Sequence, residues 1–257
     1  MMDKFTFQKS WVANSVTTSN VFCGFLSIVF ASHPQPNFRL ASIMIIAAAV
    51  FDMLDGIVAR ILGTSSRFGV ELDSLSDVVS FGAAPAFLIY QAYAFQLGGW
   101  GIVLSSLLLI FGALRLARFN IQVEDLNTKG DFKGLPIPLS ALTIALFVLS
   151  FYHTDRIIQP FDTIVIPLII VLSLLMVSRI RYNALPKLRN KSVRDKFFLF
   201  SSLIIILILA IISSGEILFY FIIGIVLFGI FRKLYYVVLN KADENGNGNK
   251  TPENKSV

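Results

Sequence analysis

Apolar segments about as long as a membrane is thick recur along almost the whole chain. A helix needs about 20 mostly apolar residues to cross a bilayer, and we identify about eight candidate segments. They cover approximately residues 12–32, 40–62, 70–95, 98–117, 136–154, 161–178, 197–214 and 216–231. Only 15% of the 257 residues are charged and the mean hydropathy is +0.73, unlike the composition of a soluble domain. The sequence therefore predicts an all-α, polytopic membrane protein with about eight transmembrane helices.

The basic residues predict how these helices are oriented. With eight spans and the N-terminus inside, all of the 22 lysines and arginines except Arg39 and Arg156 fall on the inner side. Cytoplasmic loops carry such an excess of basic residues. We therefore expect a protein of the plasma (inner) membrane with both termini and any site at this face in the cytoplasm. The net charge of +6 follows from the orientation, so we expect membrane lipids as partners and no nucleic acid.

The polar ends of the chain predict a simple domain organisation. Residues 1–11 mix lysines with aromatic side chains, which is typical of an interfacial segment. Residues 12–239 contain all the apolar segments and form one membrane domain. Residues 240–257 have almost nothing to bury, so we expect a disordered polar tail.

Four aspartates interrupt the second and third apolar segments. Each costs roughly 2.5 to 3.5 kcal/mol to place at the centre of a membrane helix. Asp52 and Asp55 are three residues apart and Asp73 and Asp77 are four apart, so each pair lies on one face of a helix. If the two helices run antiparallel about a turn at residues 63–66, Asp55 lies level with Asp73 and Asp52 with Asp77. The spacing predicts that the four carboxylates converge.

Such a cluster of carboxylates needs positive charge. Arg60 is a single nearby cation and cannot balance four aspartates. Two divalent cations can, and hard oxygen ligands favour Mg²⁺ or Mn²⁺. Two-metal sites commonly clamp phosphate oxygens in phosphoryl transfer, and Gly56 and Gly69 leave space beside the carboxylates for a ligand. The alternative is a structural carboxylate network that only packs the helices.

The acidic segment resembles the signature of the CDP-alcohol phosphotransferase family at all eight fixed positions. The pattern reads Asp52-x2-Asp55-Gly56-x2-Ala59-Arg60-x8-Gly69-x3-Asp73-x3-Asp77. The resemblance implies transfer of a phosphoalcohol from a CDP-linked substrate to an acceptor hydroxyl, with release of CMP. It implies that all four aspartates lie at the metals, with Asp77 as the general base. It further implies that Gly56, Ala59, Arg60 and Gly69 shape the nucleotide and diphosphate pocket.

Polar residues on the first apolar helix resemble a second motif of this family. Asn14, Thr17 and Asn20 are spaced at three residues and are followed by Gly24, with Ala13 where the family usually has proline. The resemblance implies that these three polar side chains face the nucleotide. The alternative is that they form hydrogen bonds between helices.

Less specific motifs further along the chain indicate which alcohol is the acceptor. Residues 76–86, 115–120, 132–138 and 178–187 resemble the branch of the family that makes phosphatidylserine, with serine as acceptor. Serine carries a carboxylate, which basic side chains near the cytoplasmic face could hold. The candidates are Arg118 with Asn120, which we favour, and Arg115 and Lys133. The alternative for the basic residues is that they only set the topology.

The resemblance implies a CDP-activated lipid and L-serine as substrates and allows a homodimer. Two other interpretations of the sequence remain. Within the family, the acceptor could instead be glycerol 3-phosphate or an inositol phosphate. Outside it, intramembrane carboxylates also mark the ion pathways of ion-coupled transporters.

Overall fold

A computed structural model describes residues 4–62, 67–124, 134–178, 180 and 215–247; within these ranges the side chains of residues 4–13, 59–62, 122–124, 234 and 236–247 are not described. Helices make up nearly all of these residues. They are α1 (Lys4–Ser32), α2 (Phe38–Leu62), α3 (Arg67–Asp77), α4 (Ala84–Ala92), α5 (Gly99–Glu124), α6 (Ile137–Phe151), α7 (Val165–Val177) and α8 (Glu216–Asn247). A π-helix, Val78–Ala83, joins α3 to α4, and 3-10 helices cover Ala94–Leu97 and Phe161–Ile164. The short strands β1 (Tyr152–His153) and β2 (Arg156–Ile157) pair antiparallel.

Four helical stretches are long and apolar enough to cross a membrane, and they support the predicted polytopic helical class. They are Asn14–Ser32, Phe38–Val58, Arg67–Ala92 and Gly99–Ile121. Two shorter apolar helices, Ile137–Phe151 and Phe161–Val177, coincide with the fifth and sixth predicted segments. The seventh predicted segment, 197–214, lies outside the described residues, and the eighth coincides with the first half of α8.

The ends of several helices differ from the sequence prediction. α1 begins at Lys4 and runs without a break into the first predicted span, and α8 continues through Asn247, past the predicted start of the polar tail. The fifth segment was expected to run to residue 154 as a helix, but α6 ends at Phe151. Thr154 and Asp155 have φ angles of 46° and 64°, so this segment turns into the β1–β2 hairpin and leaves the helix.

Small residues bring the first two helices close together. α1 and α2 pack against each other along much of their length, and Ala31 on α1 and Ala41 and Ala48 on α2 are buried. Small side chains allow membrane helices to approach closely, which increases their dispersion contacts. α6 is buried along most of its length and contacts α2, α4 and α8. α6 therefore forms part of the core against which α2 and α4 pack.

A close contact fixes α1 against the π-helix that follows Asp77. The hydroxyl of Ser80 donates a hydrogen bond to the backbone carbonyl of Asn20 at 3.0 Å. A Cβ added at Gly24 would lie 2.7 Å from the Cα and 2.9 Å from the Cβ of Ser80, so only glycine fits here. The first-helix motif and the end of the acidic segment are thereby held as one unit.

A second contact joins the start of α6 to the end of α7. The Gly134 N–H donates to the Ile180 carbonyl at 2.8 Å, and the Leu135 N–H donates to the Leu175 carbonyl at 2.9 Å. Gly134 has a φ of +89°, which favours glycine, and a Cβ there would collide with the Met176 carbonyl. The segment that follows residues 125–133 is therefore fixed against the C-terminal end of α7.

Candidate metal centre

The structure brings the aspartates of α2 and α3 into one group. One carboxylate oxygen from each of Asp52, Asp55 and Asp73 lies within 4.8 Å of the other two. Asp77 is in hydrogen-bonding contact with Asp52. The spacing of three residues on α2 and four on α3 places each pair on one helix face, and α1 packs against both of these helices. The structure therefore confirms that the carboxylates converge.

Several carboxylate oxygens in this group are buried without a partner. Asp55 Oδ2, Asp73 Oδ1 and Asp77 Oδ1 have no hydrogen-bond partner among the described residues. Leaving a buried acceptor unpaired costs about 1 to 3 kcal/mol, and more for a charged group. A cation among these oxygens would remove that cost, and an all-carboxylate donor set suits hard cations such as Mg²⁺ and Mn²⁺. The residues present therefore fit a divalent metal centre.

Asp55 is held in place from two directions. The hydroxyl of Thr17 on α1 and the backbone N–H of Gly56 both donate to its carboxylate. On the open side, a Cβ added at Gly56 would meet no atom of the described residues within 4 Å. Free space therefore lies directly beside a metal-ligand candidate, where a diphosphate could approach the helix backbone.

The other residues predicted at the nucleotide lie around this group in different environments. Asn14 is half-buried on α1, and Gly69 is half-buried in the first turn of α3. Asn20 is fully buried, with 0% of its surface exposed. Ala59 and Arg60 belong to α2, and their side chains lie outside the described residues. The roles of these residues in nucleotide binding stay predictions.

Arg115 lies on the side of α5 that faces the aspartates. It is half-buried, and its charge interacts with the carboxyl group of Asp77. Its Nε is buried and has no hydrogen-bond partner in the described part of the chain. The guanidinium group therefore places an unsatisfied donor beside Asp77.

The side chains of Asn120 and Arg118 form hydrogen bonds to other helices. Asn120 Nδ2 donates to Ser74 Oγ at 3.0 Å, which ties α5 to α3 next to Asp73. Arg118 is exposed, and its Nη1 donates to the Val177 carbonyl at 3.2 Å, at the end of α7. Lys133 lies outside the described residues. Among the acceptor candidates, Arg115 rather than Arg118 lies beside Asp77.

Ser74 and Ser80 are not among the predicted site residues, yet they connect the acidic segment to its neighbours. Ser74 bonds to Asn120 on α5, and Ser80 bonds to Asn20 on α1. A signal was available for Ser80, since it follows Asp77 by three residues and shares its helix face. Nothing comparable marks Ser74, whose partner is set by the packing of α5.

These features define a class of protein: a helical membrane enzyme with a carboxylate centre suited to metal-assisted phosphoryl transfer. The model of the family described as CDP-alcohol phosphatidyltransferase matches residues 10–175. The chain belongs to this family. The family is metal-dependent, and Asp52, Asp55 and Asp73 lie close enough together to share a cation.

Several relatives carry names that describe their reactions. The CDP-diacylglycerol–serine O-phosphatidyltransferase of Helicobacter pylori is 38% identical over 232 residues, which cover 88% of this chain and 92% of the relative. The enzyme of the same name from Methanocaldococcus jannaschii is 40% identical over 182 residues, 70% of this chain and 76% of the relative. The archaetidylserine synthase of Methanothermobacter thermautotrophicus is 39% identical over 165 residues, 63% of this chain and 65% of the relative.

Proposed function

We propose that this chain transfers a phosphatidyl group from CDP-diacylglycerol, or the equivalent group from a CDP-ether lipid, to the hydroxyl of L-serine. The products are phosphatidylserine, or its ether-linked counterpart, and CMP. The observation that carries the reaction class is the convergence of Asp52, Asp55 and Asp73 within 4.8 Å in a chain of this family. Serine as acceptor rests on the names of relatives that align with most of the chain.

The carboxylates of Asp52, Asp55, Asp73 and Asp77 would hold two divalent cations, Mg²⁺ or Mn²⁺. When bound, these cations neutralise the carboxylates and stabilise negative charge on the diphosphate and on the departing CMP. The diphosphate approaches through the open space beside Gly56, and the lipid chains stay in the bilayer. Asn14, Thr17, Ala59, Arg60 and Gly69 complete the nucleotide side of the site.

Asp77 is the proposed general base. It lies beside both Asp52 and Arg115, between the carboxylate cluster and the side from which we expect the acceptor. Asp77 takes the proton of the serine hydroxyl while the serine oxygen attacks the lipid-side phosphorus. The bond between that phosphorus and the oxygen of CMP breaks in line, so CMP leaves as the phosphate ester to the lipid forms.

Arg115 is the best-supported residue for the serine carboxylate. Its Nε has no partner in the described part of the chain, and its charge interacts with Asp77, so a carboxylate bound there keeps the serine hydroxyl near the base. Arg118 already donates to the Val177 carbonyl, and Asn120 is paired with Ser74. These two residues support the acceptor side by holding α5 against α7 and α3.

The proposed setting is the plasma membrane, with the site open to the cytoplasm. Serine is water-soluble and enters from that side, while the CDP-lipid arrives within the bilayer. Membership of this family argues against the alternative interpretation as an ion-coupled transporter, because the family consists of transferases.

The decisive experiment is a CMP-release assay on the purified chain. CDP-diacylglycerol is supplied with Mn²⁺ or Mg²⁺ and, in separate reactions, with serine, glycerol 3-phosphate or an inositol phosphate. We expect CMP release with serine, recovery of radiolabelled serine in the lipid fraction, and loss of both on chelation by EDTA. Release with a phosphorylated acceptor but not with serine would contradict the proposed acceptor, and full turnover in EDTA would contradict the metal centre.

A further inference from the structure

Asn20 on α1 is buried in a way that its proposed contact with the nucleotide does not explain. None of its surface is exposed. Its side-chain oxygen and nitrogen both lack a hydrogen-bond partner among the described residues. Buried amides in folded proteins nearly always have hydrogen-bond partners. An unpaired amide at a functional site therefore indicates a partner that is in place when the site is occupied.

The neighbours of Asn20 fix its level in the membrane. Thr17, one turn closer to the cytoplasm on the same face of α1, donates to Asp55. The backbone carbonyl of Asn20 itself accepts a hydrogen bond from Ser80. Asp52 lies one turn deeper than Asp55 on α2, and Asp77 lies one turn before Ser80. Asn20 therefore lies at the deeper level of the cluster, near Asp52 and Asp77.

The direction of the side chain follows from helix geometry. Side chains in an α-helix tilt toward its N-terminus and cover the preceding turn. The N-terminus of α1 is on the cytoplasmic side, so the Asn20 amide extends from the level of Ser80 back toward Asp77. The Oδ1 of Asp77 is buried and has no partner in the described part of the chain. An unpaired donor and an unpaired acceptor thus occur at the same level of the site.

We propose that Asn20 is a positioning residue of the metal centre. Its amide N–H donates to the Asp52–Asp77 pair when those carboxylates bind a cation, as Thr17 donates to Asp55 one turn away. α1 then supports the cluster at two successive levels. The inference rests on the metal centre proposed above and assigns Asn20 to the carboxylates instead of the nucleotide.

The test is Mn²⁺ binding to the full-length purified protein, measured by the electron paramagnetic resonance signal of free Mn²⁺ in the absence of substrate. Substitutions of residues that orient metal ligands typically weaken metal binding roughly 10- to 100-fold. We expect Asn20→Ala and Asn20→Leu to weaken Mn²⁺ binding to this extent. Asn20→Leu keeps the volume of the side chain, so it remains informative if the alanine variant does not fold.

Ser27→Ala is the matched control. Ser27 lies two turns further along the same face of α1 and is also fully buried, and its hydroxyl likewise has no partner among the residues that the structure describes. We expect this variant to bind Mn²⁺ as the parent chain does. Asp73→Asn serves as the reference for loss of a direct ligand.

Each result separates the inference from the proposed function. Parental Mn²⁺ affinity in both Asn20 variants, together with weakened binding in Asp73→Asn, would overturn the role of Asn20 and leave the metal centre standing. No Mn²⁺ binding by the parent chain would overturn both.

Discussion

At the scale of single residues, Asp77 is set apart by its neighbours. It is the last residue of α3, forms a hydrogen bond with Asp52 and interacts electrostatically with Arg115. We expect Asp77→Asn to lower kcat by at least about 100-fold, since general bases contribute roughly 10²- to 10⁴-fold. Binding of the CDP-lipid, measured by fluorescence titration, should change far less. Glu71→Gln, on an exposed position of the same helix, is the matched control, and equal losses in both variants would refute the assignment.

Arg115 and Arg118 are one turn apart on α5 and should behave differently when replaced. A hydrogen bond to a charged group is worth about 1.5 to 3 kcal/mol, so Arg115→Ala should raise the KM for serine about 10- to 100-fold. The KM for the CDP-lipid should stay the same. Arg118→Ala should affect the thermal unfolding temperature more than the KM for serine, because its partner is a backbone carbonyl. A larger rise in the serine KM for Arg118→Ala would reverse this assignment.

The sequence was sufficient to predict which aspartates meet, but not which arginine faces them. Spacing along a helix determines which side chains share a face, and a short turn between two helices determines which residues lie at one level. Arg115 and Arg118 satisfy the same spacing rules. Their difference depends on where α7 ends relative to α5, because the Val177 carbonyl is the partner of Arg118. That relation is set by tertiary packing, on which local spacing carries no information.

At the scale of elements, the contact between α1 and the π-helix is the most sensitive junction near the site. An added methyl group at Gly24 would collide with the backbone of Ser80, and overpacking of this kind costs about 1 to 3 kcal/mol. We expect Gly24→Ala to lower both the thermal unfolding temperature and kcat, because relief of the collision moves the segment after Asp77. Adding Ser80→Ala should not restore either, since the Cα and Cβ of residue 80 remain 2.7 and 2.9 Å from the new atom.

A second glycine provides the control for that experiment. Gly224 lies within α8, and a Cβ there would meet no atom within 4 Å among the residues that the structure describes. Because alanine favours helix over glycine by about 1 kcal/mol, Gly224→Ala should be neutral or slightly stabilising. Similar losses at Gly24 and Gly224 would show that the Ser80 contact is not responsible.

The main elements were predictable from hydropathy, and the irregular ones were not. Long apolar runs identify α1, α2 and α5 because each must satisfy its backbone hydrogen bonds inside the bilayer. The π-helix at Val78–Ala83 has no sequence signal of its own, since the same apolar residues suit an α-helix. The hairpin at Tyr152–Ile157 depends on two successive residues with positive φ, which an apolar pattern does not reveal.

At the scale of the whole molecule, the predicted orientation can be tested by chemical labelling. Gln96, after α4, and Glu71, on α3, are both exposed and belong to opposite ends of one candidate span. In a Cys23→Ala background, a membrane-impermeant maleimide added to spheroplasts should label Gln96→Cys. It should label Glu71→Cys only after permeabilisation. The opposite pattern would place the metal centre on the outer face and contradict the cytoplasmic entry of serine.

The contact between Gly24 and Ser80 also defines which parts of the chain can be exchanged between relatives. α1 and the segment that ends the acidic motif are far apart in sequence, yet their backbones touch and share a hydrogen bond. In a chimera that takes α1 from one parent and residues 67–83 from another, two surfaces that come from different proteins would have to pack against each other at this contact. Crossovers placed after residue 83 keep it intact. Recombination between family members that differ in acceptor should therefore succeed when the first three helices are inherited as a block.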